Sequence, residues 1–217
     1  MIDEFGISLD ANILDLGTST GTNLRLLKNM GFTHYQGLDF SDEAIRWCAE
    51  KELGYVQKGD ICNIPFNSAE FSLVLATDII EHVDDDMLAL KEIKRILKPD
   101  GVAIITVPAF QFLWGHQDIV SHHKRRYLIN EVRKKLGKAG LNCEEIFYFN
   151  YFMFLPIWLA RMLIRLFHIN VVSENQINSP LLNSIMTKAF MLDIWSARKI
   201  RPPFGVSILA IVRPFNG

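Results

Sequence analysis

Four aspartates at nearly even intervals carry the first chemical signal in this chain. Asp15 lies in ILDLG, Asp39 in YQGLDF, Asp60 after VQKG and Asp78 at the end of LVLATD, with separations of 24, 21 and 18 residues. Each falls at or just past a short apolar run, and such runs bounded by turn residues read as buried strands. Four carboxylates are thereby expected along one edge of a sheet. After the first stands Gly17-Thr18-Ser19-Thr20-Gly21, followed by a helical pattern of Leu24, Leu26, Leu27 and Met30. Glycines let backbone approach a ligand closely, and the first N–H groups of a helix offer free donors. Carboxylates here repel a pyrophosphate, and the chain has neither the dinucleotide G-x-G-x-x-G nor a P-loop lysine at this place. The pattern selects a nucleoside-type ligand that carries positive charge.

A second group of reactive side chains follows the fifth apolar run. It reads FQFLWGHQD and then SHHKRRY, and holds His116, Asp118, His122, His123, Arg125, Arg126 and Tyr127. Imidazoles titrate near neutrality, so His116 or His123 could serve as a base, and either could equally hold a loop together. Arg125 and Arg126 suit a clamp on an anionic acceptor, because guanidinium pairs bidentately with phosphate or carboxylate. Three histidines crowd this loop, yet His116, Asp118 and His122 follow no ligand spacing that defines a metal site, and no metal is expected. Glu81 and His82, just past the fourth run, read as residues that cap a turn and anchor the loop after it.

S-adenosylmethionine meets the demand for a cationic nucleoside, having a sulfonium, an ammonium, ribose hydroxyls and an adenine. ILDLGTSTG, GLDFS, GDICNIPF, FSLVLATDIIEHV and LKPDGVAIITVP, in this order and spacing, resemble the class I S-adenosylmethionine-dependent methyltransferases over about residues 10 to 150 and the last strand. The resemblance implies that Gly17, Ser19 and Gly21 surround the methionine part, with Asp15 near its ammonium. It implies Asp39 on the ribose hydroxyls, Phe40 and Ile61 against the adenine, Asp60 on the adenine amino group, and Asp78 in the same cofactor site. Ser19 stands where the family usually has glycine. Asp118, His123, Arg125, Arg126 and Tyr127 match the D-x4-H-x-R-R-Y of a subset of that family, which implies an acceptor-facing role for Asp118, Arg125, Arg126 and Tyr127.

The elements that must position these residues alternate clearly. Helices over Thr22 to Met30, Ser41 to Lys51 and Asp84 to Leu97 separate strands at Tyr35 to Leu38, Tyr55 to Lys58, Phe71 to Ala76 and Gly101 to Val107. Such alternation means βαβ units and a mostly parallel sheet. A basic helix, Asn130 to Ala139, leads to a sixth strand, Leu141 to Phe149, and Val206 to Val212 is the seventh. The expected fold is α/β, a seven-stranded doubly wound, Rossmann-like sheet in one domain over 1 to 217, with a helical insertion at 150 to 204 before the last strand.

That insertion begins with an aromatic and aliphatic run, Tyr148 to His168, in which Arg161, Arg165 and His168 form one polar stripe. It is too short and too charged to span a bilayer. Two readings stand: a helix lying in a membrane interface with its arginines toward anionic lipid, or a helix packed into the core. A second helical pattern, Leu181 to Ile200, would complete a cap over the acceptor.

Composition fits these expectations. The net charge of -1 hides 18 acids against 9 bases in residues 1 to 100, and 6 against 14 in the remainder. An acidic cofactor half and a basic acceptor half follow. Three cysteines without paired metal-ligand spacing suggest reduced thiols, and the first residues lack a basic-then-apolar leader, so cytoplasmic residence, at the inner face of the membrane if the insertion is interfacial, is the expectation. The basic patch lacks interleaved stacking aromatics, which argues against nucleic acid. Methylation of a small, lipid-linked or amphiphilic acceptor is the leading reading. A soluble-metabolite methyltransferase and a catalytically silent methyltransferase-like binding subunit are the alternatives.

Overall fold

The computed structural model describes residues 2–167 and 180–215. Seven strands form one sheet: β1 (Ile13–Leu16), β2 (Tyr35–Asp39), β3 (Tyr55–Lys58), β4 (Phe71–Thr77), β5 (Leu97–Pro108), β6 (Leu141–Phe149) and β7 (Ser207–Pro214). Their spatial order is β3-β2-β1-β4-β5-β7-β6, with β7 antiparallel to both neighbours and the pairs among β1 to β5 parallel. The sequence order reverses between β1 and β4, and ligands of open α/β sheets collect at such a switch point, beyond the carboxyl ends of the strands.

Seven α-helices flank the sheet among the described residues: α1 (Thr22–Asn29), α2 (Asp42–Glu50), α3 (Asp86–Ile96), α4 (His116–Val120), α5 (Ile129–Lys138), α6 (Phe154–Leu166) and α7 (Pro180–Ile200). Caps set several starts. The Ser41 hydroxyl accepts from the Ala44 N–H at 3.3 Å, and the Asp85 carboxylate accepts from the Leu88 N–H at 2.9 Å. All four residues of β1 are buried, as a strand covered on both faces requires. One face of the sheet packs Leu14, Val74 and Ile105 with Ile93 and Leu136, and the other packs Ile13, Leu73 and Ile104 with Leu27 and Ala197.

Helix α3 stops at Ile96, and β5 begins at Leu97, earlier than the apolar pattern indicated. Pro99 disfavours the α conformation at Lys98, so the chain is already extended there, and Leu97 pairs with Phe71. Helices α6 and α7 occupy the segment between β6 and β7. Helix α7 is tied down by the buried Asp193, whose carboxylate accepts from the Asn150 and Phe152 N–H groups, and by Arg198, which donates to Glu145.

Helix α6 is not the packed core helix, and its arginines do not take the direction given them in the interfacial reading. None of its residues is fully buried, which excludes a core helix, and its arginines lie against the loop from Phe112 to Asp118. Arg165 donates to the Phe112 carbonyl at 2.9 Å and to that of Trp114, while Arg161 lies 3.6 Å from the Asp118 carboxylate. The physical reason is local. Gly115 lacks a Cβ, and one placed there would meet the Arg161 guanidinium at 2.9 Å, so glycine lets that side chain lie flat on the loop. His168, the third member of the expected stripe, lies outside the described residues.

Candidate active site

A cleft of about 630 Å³ opens beyond β1, β2 and β4, with Gly17, Asp39, Phe40, Asp60, Ile61 and His82 among its lining. A hollow of about 400 Å³ adjoins it, formed by Ser19, Thr20, Asp39, Ser41, Glu43, Ala44 and Trp47. Asp39 borders both. The last residue of β2, it accepts from the Ser19 and Ser41 N–H groups, each at 2.8 Å, and the four lone-pair sites of a carboxylate leave capacity for ligand hydroxyls.

The loop after β1 bends tightly. Gly17 and Gly21 have φ of 71° and 74°, and Ser19 itself adopts φ 48°, a left-handed conformation that strains a residue with a side chain. The structure thus accounts for the preference for glycine at that place. A Cβ on Gly21 would lie 2.4 Å from Leu53 Cδ1 and 3.1 Å from Cys48 Sγ, because the loop rests directly on the α2 end.

The four aspartates have separate surroundings. Asp15, third in β1 and 1% exposed, sits beneath the glycine loop, where the Asn23 amide donates to it at 2.8 Å and also to the Thr77 hydroxyl at 2.9 Å. Burial pushes its carboxyl up to about 7, against the pull of the Asn23 hydrogen bond and with the help of the Asp39 charge. Asp60 lies two residues past β3 and accepts from the Cys62 N–H at 2.8 Å. Asp78 follows β4 with φ 50°, its N–H bonded to Thr106, and desolvation raises its carboxyl. Phe40 projects with 78% of its surface exposed, whereas Ile61 is buried at the cleft wall. Asn23 and Thr77 were missed from sequence, since amide and hydroxyl residues inside strand and helix patterns look like ordinary surface positions.

The loop after β5 departs from its expected role. Asp118 is fully buried and receives Arg126 in a fork, Nε at 2.7 Å and a terminal nitrogen at 3.0 Å, plus the Gly115 N–H at 2.7 Å. Burial works against its charge, but Arg126 and Gly115 outweigh it, with help from His123, and hold the carboxyl below the ordinary value. The remaining terminal nitrogen of Arg126 donates to the Ala109 carbonyl at 3.0 Å. Tyr127 donates to the buried Asp86 at 2.9 Å, beside Lys135 at 2.7 Å and Arg125 at 3.2 Å; Arg125 also donates to the Val83 and Asp84 carbonyls. The acceptor-facing role expected of Asp118, Arg125, Arg126 and Tyr127 does not fit these contacts. Asp118 and Asp86 are two acid hubs that use the motif's cations and phenol to fasten the loop.

His123 stands differently. Asp118 Oδ1 holds its Nδ1 at 2.9 Å, and its Nε2 points to Glu81, 3.9 Å from Oε1. His82 packs edge-on against it, ring centroids 4.7 Å apart. The Glu81 carbonyl accepts from the Lys124 N–H at 2.8 Å, so its backbone ties down the loop after α4 rather than the loop that follows Glu81. Its side chain, however, is fully buried, which the sequence did not reveal. His116 is exposed at the start of α4, away from this cluster.

Comparisons with known proteins agree with this architecture. Residues 14–105 match the model of a methyltransferase domain. The demethylmenaquinone methyltransferase of Staphylococcus carnosus (strain TM300) is 34% identical over 85 residues, covering 35% of this chain and 35% of that protein. The norajmaline N-methyltransferase of Rauvolfia serpentina is 32% identical over 141 residues, covering 61% of this chain and 46% of the relative. The chain thus spans between about a third and a half of the length of these curated relatives. In fold, it is similar to the S-adenosylmethionine-dependent methyltransferase from Mesorhizobium loti, with a TM-score of 0.60 at 16% identity over 94% of this chain and 91% of that one. Residues 14–105 are thus similar to a methyltransferase domain, and they lie on a seven-stranded, Rossmann-like sheet.

Proposed function

We propose that this chain, built on a methyltransferase domain, transfers a methyl group from S-adenosylmethionine to a small amphiphilic acceptor presented at a lipid surface. The observation that carries the cofactor half is the acid-lined cleft at the β1/β4 switch point, where Asp39 ends β2 at the junction of two hollows. In this reading Asp39 takes the ribose hydroxyls, Phe40 and Ile61 pack on the adenine, Asp60 takes its amino group, Asp15 faces the ammonium, and Gly17, Ser19 and Gly21 wrap the methionine chain with Asp78 at its far side. Exposed Phe40 would lose much of its solvent contact against the base. Methyl transfer is an in-line displacement, so most of the acceleration is alignment. His123, oriented by Asp118, is the group on the acceptor side.

Asp39→Ala is expected to weaken S-adenosylmethionine binding by about 1.5–3 kcal/mol, roughly tenfold to a hundredfold or more, through lost charge-assisted hydrogen bonds. Calorimetric titration checks this, and unchanged affinity would remove Asp39 from the site.

The acceptor half rests on α6 and α7. Leu155, Trp158, Leu159, Met162, Leu163 and Leu166 on α6 are exposed, as are Met191, Leu192 and Trp195 on α7. The α6 residues recur every three or four positions and so share one face of that helix, and an exposed apolar face of this kind marks an interaction surface. The inward arginines leave the outer side of α6 almost purely apolar, so it suits insertion among acyl chains more than electrostatic attachment. Among the described residues no helix is long and apolar enough to cross a membrane. The demethylmenaquinone relative is named for a lipid-like quinone, which supports the same acceptor class.

Vesicle co-sedimentation should therefore show binding that changes little with salt. Leu159→Glu with Leu163→Glu should abolish it at unchanged melting temperature, whereas Arg161→Glu with Arg165→Glu should lower the melting temperature. Pelleting that depends on anionic lipid, or none by the parent, would contradict the surface assignment. The function itself is tested by incubating the protein with methyl-labelled S-adenosylmethionine and separate lipid, metabolite and nucleic-acid extracts. Label should enter the lipid fraction; label in the metabolite fraction alone would favour a soluble acceptor.

A further inference from the structure

Glu81 is the most anomalous side chain in the structure. Its relative exposure is 0%, and neither carboxylate oxygen is hydrogen-bonded by another of the described residues. Buried polar groups are ordinarily paired, and a buried carboxylate without a partner is costly. Arg126, whose charge acts on Glu81, has its fork on Asp118 and its other terminal nitrogen on the Ala109 carbonyl. Two further acids, Asp78 and Asp118, act on Glu81 and make the place more negative.

We propose that Glu81, His82 and His123 bind a divalent transition-metal ion at the acceptor end of the cleft. One carboxylate oxygen and one ring nitrogen from each histidine all lie within 4.8 Å of one another. Metal bonds of about 2.0–2.2 Å put ligand atoms closer together than this, so small rotations of the side chains complete the set. The histidine that matters most is already prepared. Asp118 holds the His123 Nδ1 side at 2.9 Å, which leaves Nε2 with its lone pair toward Glu81 at 3.9 Å. A carboxylate behind a ligating imidazole is how metal-bound histidines are commonly oriented, and the Arg126 fork fixes that carboxylate in turn. His82 presents its ring at 89° to His123, so the two imidazoles approach Glu81 from different directions.

Two imidazoles and one carboxylate favour zinc, manganese or iron over magnesium, which takes oxygen ligands. Three protein ligands leave room for an oxygen of the acceptor, and a bound metal makes such an oxygen more acidic, as it does water. That role rests on the methyltransferase reading, whereas the binding of metal does not. From the sequence only His116, Asp118 and His122 were weighed for metal, and no metal was expected; the cluster in space has other members and joins the turn after β4 to the loop after α4.

The test uses the whole chain, stripped with chelator, and calorimetric titration with Zn²⁺, Mn²⁺ and Mg²⁺ without S-adenosylmethionine. One equivalent of Zn²⁺ or Mn²⁺ should bind, tighter than Mg²⁺, and raise the melting temperature. Glu81→Gln, nearly isosteric, should weaken this by more than about 100-fold, beyond what loss of an outer-shell partner costs. His122→Ala, outside the cluster, should leave it unchanged. S-adenosylmethionine titrated into Glu81→Gln reports on the cofactor site separately, so failure of the two readings can be told apart. No stoichiometric metal binding, or binding indifferent to Glu81→Gln, would overturn the site. A Glu81→Gln protein that gains stability while the parent ignores metal would mark Glu81 as a buried carboxylic acid.

Discussion

Arg126→Ala is expected to destabilise the fold by about 3–5 kcal/mol, because it takes from the buried Asp118 its bidentate partner and leaves only the Gly115 N–H, His123 and the more distant Arg161. Arg126→Lys should fall between, since a lysine keeps the charge but cannot reproduce the fork or the bond to the Ala109 carbonyl. The depressed Asp118 carboxyl sets the pH dependence. Its pairing contributes fully above the unfolded value near 4 and is lost as pH falls through the lower folded value, so parent and variant should converge in acid. Denaturant unfolding at several pH values measures this. A loss below about 1 kcal/mol, accompanied by a collapse of methyl transfer, would return Arg126 to the acceptor.

The second large effect concerns Asp15, whose carboxyl is raised by burial from 3.8 to about 7. Between these values the folded protein holds a proton that the unfolded chain has released. The contribution of Asp15 is therefore complete below about pH 4 and lost as pH rises to about 7, the opposite slope to Asp118. Asp15→Asn should remove that slope and exceed the parent in stability at pH 8, by up to about 4 kcal/mol at roughly 1.4 kcal/mol per unit. Parallel stability curves would contradict the raised value. The same variant should bind S-adenosylmethionine poorly, since a neutral amide cannot face an ammonium as a carboxylate does.

These two residues show what could be read in advance. Asp15, Asp39 and the glycine loop were legible because buried parallel strands write themselves as short apolar runs, and the residue closing each run must lie at one sheet edge. The arginines of the loop after β5 were not. Arg125 and Arg126 look alike whether they meet an anionic ligand or a protein acid, and their partners Asp86 and Asp118 are set by the way β4 and β5 bring two loops together. Glu81 was hidden for the same reason, since its burial depends on His123 from a distant loop.

Helix α6 teaches a different lesson. A segment this apolar has the same pattern whether it is packed inside or laid outside, and the side its arginines take is decided by carbonyls at Phe112 and Trp114 and by the missing Cβ of Gly115. Arg161 and Arg165 of the expected stripe do share one side of the helix. The direction of that side was a tertiary property.

The central claim, that the cleft at the β1/β4 switch point is a site for S-adenosylmethionine, is met most directly by titrating the protein with that compound in a calorimeter. One molecule per chain should bind in the micromolar range, with S-adenosylhomocysteine competing and NAD not competing. Absence of binding by S-adenosylmethionine, or its displacement by NAD, would contradict the account.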